Sequence, residues 1–74
     1  MLISGQIIEK ALAAGSKSQH QGLFIVCAEA EYVIRFKGDN PFENKSLKAF
    51  IGKQVMAEGI LIDYLFLANS VREA

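Results

Sequence analysis

The sequence predicts a small, mainly β domain of five strands with one short helix between the third and the fourth. Three observations carry this expectation. Residues 32 to 37, YVIRFK, alternate between Tyr32, Ile34 and Phe36 on one face and Val33, Arg35 and Lys37 on the other, the period of a half-buried strand. Residues 52 to 71, GKQVMAEGILIDYLFLANSV, read as two further strands meeting at a tight turn. Between these segments Leu47, Phe50 and Ile51 fall at i, i+3 and i+4, one stripe of a short helix.

The elements follow in chain order. Residues 2 to 9, LISGQIIE, place Ile3, Ile7 and Ile8 around Gly5, where β-branched side chains favour a strand. A glycine within such a run marks a bulge or a close backbone approach. Lys10–Ala14 extends this strand or forms a helical turn, since Ala and Leu are good helix formers. The polar stretch 15 to 22, GSKSQHQG, reads as a loop. Strand two is the apolar run LFIVCA, 23 to 28, joined to strand three at 32 to 37 by Glu29-Ala30-Glu31 in an antiparallel hairpin. Asn40 before Pro41, with Glu43 three residues on, has capping-box spacing, and Ser46 is a second N-cap candidate. The helix then covers about two turns and ends at Gly52, where a left-handed residue is wanted.

Strand four covers 53 to 61, with Val55, Ala57, Gly59 and Leu61 alternating against Gln54, Met56, Glu58 and Ile60. Ile62–Asp63 makes the turn, and strand five covers 64 to 71. Val55, Leu61, Leu65, Leu67 and Val71 are expected in the core opposite Ile34 and Phe36, with a register break near Asn69. The tail Arg72–Ala74 is expected to fray.

Strand, strand, strand, helix, strand, strand is the order of the OB-fold, a five-stranded Greek-key barrel. Gly52, Lys53, Val55, Gly59 and Leu61 resemble the pattern that leads strand four out of the helix in such domains. Gly5 fits a first strand that bends sharply to close the barrel. The resemblance is one of shape and covers nearly all of residues 1 to 74, read as one domain. It implies a binding surface on strands two and three and their flanking loops, for single-stranded nucleic acid, oligosaccharide or protein. An SH3-like barrel is the main competitor, and the helix between strands three and four argues against it.

Composition narrows the function classes. Apolar residues make up 51% and charged residues 22%, a globular balance rather than a disordered one. Eight basic and eight acidic side chains cancel, so no global field draws the chain to nucleic acid or to an anionic membrane. A single cysteine, Cys27, leaves no intramolecular disulfide. "ALAAG" resembles a signal-peptide cleavage site, but Ser4, Gln6, Glu9 and Lys10 interrupt the apolar segment ahead of it. No apolar run reaches the ~20 residues that span a bilayer. A soluble, cytoplasmic protein is expected.

No residue pattern points to catalysis, a cofactor or a metal. His20 reads as a solvated loop histidine without the second ligand or orienting carboxylate that such roles need. Cys27, within an apolar run, reads as core packing. Glu29 and Glu31 share a face and could meet a divalent ion, but they read as solubilising the hairpin turn. The expected role is therefore non-enzymatic binding.

Strand two is apolar at every position, whereas a one-sided strand should alternate. Its outward set, either Leu23–Ile25–Cys27 or Phe24–Val26–Ala28, must be covered by the chain itself or by a partner. Met56 and Ile60 add to this outer apolar excess. The leading expectation is a protein partner or a second copy of the chain. The alternative is single-stranded nucleic acid held by Arg35, Lys37 and Lys53 with Phe24 and Tyr64 as stacking aromatics. The candidate partner surface thus comprises Phe24, Val26, Arg35, Lys37, Lys53, Met56, Ile60 and Tyr64.

Overall fold

The computed structural model describes residues 1 to 12, 20 to 38 and 45 to 74. Five strands form one sheet that closes in a ring: β1 Leu2–Leu12, β2 His20–Val26, β3 Glu31–Phe36, β4 Gln54–Ile62 and β5 Leu65–Glu73. The neighbour order is β1-β2-β3-β5-β4. β1 closes the ring by pairing antiparallel with β4 through its first half and with β2 through its second. Gln6 takes part in both ladders, opposite Val26 and Gln54. The handover needs a close backbone approach, because a Cβ on Gly5 would lie 2.4 Å from the carbonyl oxygen of Val26. β2 and β3 pair antiparallel, β3 and β5 parallel, and β4 and β5 antiparallel.

Alternation sorts each strand into an inner and an outer face. Inside lie Ile7, Leu23, Ile25, Ile34, Val55, Ala57, Phe66 and Ala68, all buried. Ile3, Tyr32, Phe36, Leu61 and Val71 pack against them at partial burial. For β3 and β4 this is the expected phase. For β5 the expected phase is corrected: Phe66 and Ala68 point inward, and Leu65 and Leu67 point out. The sequence LFLA is apolar at consecutive positions, so alternation alone gave no phase. The register break near Asn69 is present: Gly59 opposes Ala68 while Glu58 opposes Ser70. The extra residue turns the strand by one position, so Val71 packs inward again.

The element boundaries also shift. β1 continues through Lys10 to Leu12, which settles that part of the extension as strand. β2 begins at His20, so residues 20 to 22 are strand rather than loop. Cys27 and Ala28 belong to the turn after β2, where the Cys27 N–H donates to the Ala30 carbonyl at 2.8 Å. The β4–β5 turn is Asp63–Tyr64, not Ile62–Asp63. Asp63 takes φ 54°, a left-handed value that Asp tolerates better than most residues. The tail is paired rather than frayed: Glu73 opposes Val55, and the Ala74 N–H donates to the Gln54 carbonyl at 2.9 Å.

The expected two-turn helix is a single four-residue turn, α1 Lys45–Lys48, the only α-helical turn among the described residues. Ser46 lies within it rather than at its cap. Three-residue turns follow, with the N–H groups of Phe50, Ile51 and Lys53 donating to the carbonyls of Leu47, Lys48 and Phe50. Leu47 is fully buried and Phe50 partly so, while Ile51 stays exposed. Gly52 adopts φ 84°, and its N–H donates to the Ile7 carbonyl at 2.7 Å, which ties this segment to β1. The Asn40–Glu43 capping box lies outside the described residues. Among the described residues, no helix is long and apolar enough to cross a membrane.

Candidate functional site

The register places one outward apolar residue from each strand in a single row. Ile8 opposes Phe24, Phe24 opposes Val33, Val33 opposes Leu65, and Leu65 opposes Ile62. One level along, Arg35 opposes Leu67 and Leu67 opposes Ile60. The β4–β5 end of this band is the most open, with Ile60 at 53%, Ile62 at 49% and Tyr64 at 78% exposure. Cross-strand neighbours sit about 4.5–5.5 Å apart. The row therefore follows the ring around from β1 to β4, and only its β3–β5–β4 part, Val33, Leu65, Ile62, Ile60 and Leu67, shares one side.

The β1–β2 end is different. The Lys10 ammonium lies 4.5 Å from the centroid of the Phe24 ring and pairs with the Glu31 carboxylate. Lys10, Phe24 and Glu31 come from three strands, brought together by the β1–β2 and β2–β3 ladders. The cation covers a ring face and carries its own counterion, so this end is more polar than its sequence suggests.

The predicted surface residues divide accordingly. Phe24 and Ile60 lie on the band, with Arg35 beside it and Tyr64 in the turn at its end. Val26, 38% exposed, sits one level below Phe24 opposite Glu31. This fixes the outward set of strand two as Phe24, Val26 and Ala28, since Leu23 and Ile25 are buried. Lys37 is exposed in the turn after β3. Met56 belongs elsewhere: it opposes Ser4 and Arg72 and lines a hollow of about 410 Å³ with Leu2, Glu58 and Val71. Lys53 lies before β4 and bonds the Glu73 carboxylate at 3.3 Å.

Sequence reasoning missed Ile8, Val33, Ile62, Leu65 and Leu67 as members of the surface. The signal for the last two was present, because LFLA is as continuously apolar as LFIVCA. The row itself depends on β3 lying parallel to β5, a pairing of segments about thirty residues apart that periodicity does not reveal.

A second hollow of about 320 Å³ lies against the turn after β2, lined by Met1, Ile3, Ser4, Cys27, Glu29 and Tyr32 among others. It is open and mostly apolar and lacks the convergent polar groups that orient a small ligand. Cys27 is half-buried there, and burial pushes its thiol pKa up, away from the reactive thiolate. The described residues contain no group of three or more His, Cys, Asp or Glu placed to hold a metal ion. No family model, curated protein or solved structure matches this chain.

Proposed function

We propose that this chain is an OB-fold domain that acts by binding, not by catalysis, and that it holds a protein partner on the outer face of β3, β5 and β4. The strand order β1-β2-β3-β5-β4, with its single parallel pairing between β3 and β5, supports the fold reading. The observation that carries the function is the apolar patch that β3, β5 and β4 share, Val33, Leu65 and Ile62 with Ile60 and Leu67 beside them. A sheet face open to water should be polar. Here both faces of the β4–β5 tip are apolar, as in a strand covered on both sides. Nucleic acid fits the strand 2–3 side less well, because there Lys10 covers the Phe24 ring and is paired with Glu31. A base and a phosphate would have to displace both contacts.

Site-specific photocrosslinking tests the reading. A photoreactive residue at Ile60, irradiated in the cells that make the protein, is expected to form protein adducts that the same residue at Lys48 does not form. Adducts confined to nucleic acid or lipid, or adducts equal at both positions, overturn it.

A further inference from the structure

We propose that the segment docked on this face is an amphipathic α-helix that lies along β5 and carries acidic residues on the edge over β3. This rests on the reading of the outer face of β3, β5 and β4 as a protein-docking surface and adds the chemistry of what docks. A strand cannot dock there by backbone pairing, because β5, at the centre of the patch, is already paired to β3 on one side and to β4 on the other. The partner must satisfy its own backbone and meet the face with side chains, which a helix does.

The dimensions agree. From β3 to β4 is two strand spacings, about 9.5 Å, close to a helix diameter of about 10 Å. Along β5 the apolar side chains stand at two levels, Leu65 with Val33 and Ile62, then Leu67 with Ile60. Levels two residues apart are separated by about 6.8 Å, and helix positions i and i+4 by about 6 Å. One apolar stripe of a short helix therefore covers both levels.

Charge selects the helix. At the level of Leu67 the β3 position is Arg35. Lys37 follows it, and its N–H donates to the Ala68 carbonyl at 2.8 Å, which keeps it beside β5 one level further on. Two bases thus line the β3 border, and among the described residues neither is held in an ion pair. The acids line the opposite border: Glu58 is the next outward position past Ile60 on β4, and Asp63 follows Ile62 into the turn. The Lys10–Glu31 pair, beyond Val33, already matches its own charges and selects neither sign. The complementary helix has two carboxylates one turn apart on the edge over β3; bases on that edge would meet like charge.

Fluorescence anisotropy with two designed peptides tests this. Each is a stapled helix of about 15 residues, since unconstrained helices of that length are marginal in water. Both carry the same leucine stripe, and one has Glu at i and i+4 on one edge where the other has Lys. The intact chain is expected to bind the acidic peptide about tenfold or more tighter than the basic one at low salt, with the gap narrowing as salt rises. Arg35→Glu and Lys37→Glu together should reverse the preference in a chain that keeps its far-UV circular dichroism. If that double variant unfolds, Lys37→Glu alone, at an exposed turn position, should shrink the gap. Ile62→Lys, also at an exposed position, should lose both peptides while staying folded. Equal binding of the two peptides, tighter binding of the basic one, acidic-peptide binding that survives Ile62→Lys, or no binding of either at millimolar concentration overturns the acidic helix. The docking reading then stands if Ile60 still crosslinks to protein, and it falls as well if no protein adduct forms.

Discussion

The β4–β5 hairpin has two halves that differ on one side only. Inside the ring both are apolar, with Phe66, Ala68 and Leu61 near the turn and Val55, Ala57 and Val71 beyond the bulge. Outside, the half beyond the bulge shows Met56, Glu58, Ser70 and Arg72, an ordinary mixed surface. The half near the turn shows Ile60, Ile62, Leu65 and Leu67. The bulge between Glu58 and Gly59 separates them. One ladder therefore carries two designs: a strand pair covered on one side, and a strand pair composed as though covered on both. The fold explains the first. The second is the observation behind the proposed docking surface.

The sharpest way to break this comparison is to exchange the roles of the two faces at the turn. Phe66 is fully buried, whereas Leu67 beside it faces out. Phe66→Ala should cost roughly 3–5 kcal/mol by transfer and cavity terms together. A domain of this size has a total stability at the low end of about 5–15 kcal/mol, so that variant should be largely unfolded by circular dichroism. Leu67→Ala should remain folded with a much smaller loss. If Leu67→Ala unfolds and Phe66→Ala does not, the phase of β5 before the bulge is the reverse of the one described, and the apolar band moves into the core.

The junction between the halves offers a medium-sized effect. A Cβ on Gly59 would stand 2.0 Å from the carbonyl oxygen of Leu67 and 2.8 Å from Cα of Ala68. Both are backbone atoms and cannot swing away, so Gly59→Ala must open the ladder at the bulge. A cost of about 1–3 kcal/mol is expected, of the order found for overpacked cores. In thermal unfolding that is a fall of roughly 4–8 °C per kcal/mol for a domain of this length. An unchanged melting temperature would mean that the bulge relaxes freely and does not hold the two halves in register.

The legible parts of this fold are those where sequence opposes two unlike faces. In β3, Tyr32, Ile34 and Phe36 alternate with Arg35 and Lys37, and the inner face could be read without a structure. In β2 and β5 the apolar residues run without interruption, so a strand was evident but its phase was not. The outward position of Phe24 and the inward position of Phe66 come from pairing across the sheet. The tail misled for another reason: Arg72 and Glu73 look like a polar end, yet β4 is long enough to pair with them, and Lys53 meets Glu73. Phe24 and Val26 are legible as outward apolar residues because strand two breaks the alternation rule. Leu65 and Leu67 on β5 break the same rule but read as core in the sequence.

The smallest expected effect concerns Cys27, which lies at the inner edge of the ring and away from the apolar band. It packs against the core after the end of β2, next to Ile3 and Tyr32. Desolvation by burial disfavours the thiolate and raises the thiol pKa. The folded chain therefore keeps this proton to a higher pH than the unfolded chain. Its contribution to stability is full below the unfolded value, near 8.5, and is lost as pH rises through the higher folded value. Because the thiolate is the nucleophile, alkylation by iodoacetamide at pH 8 should be slower in the folded chain than in the same chain in urea, after correction for the effect of urea on a small thiol. The gap should narrow as pH rises and the folded thiol ionises. A folded chain that reacts faster than the unfolded one would show a stabilised thiolate, and the hollow beside Cys27 would then replace the outer band as the place to look for chemistry.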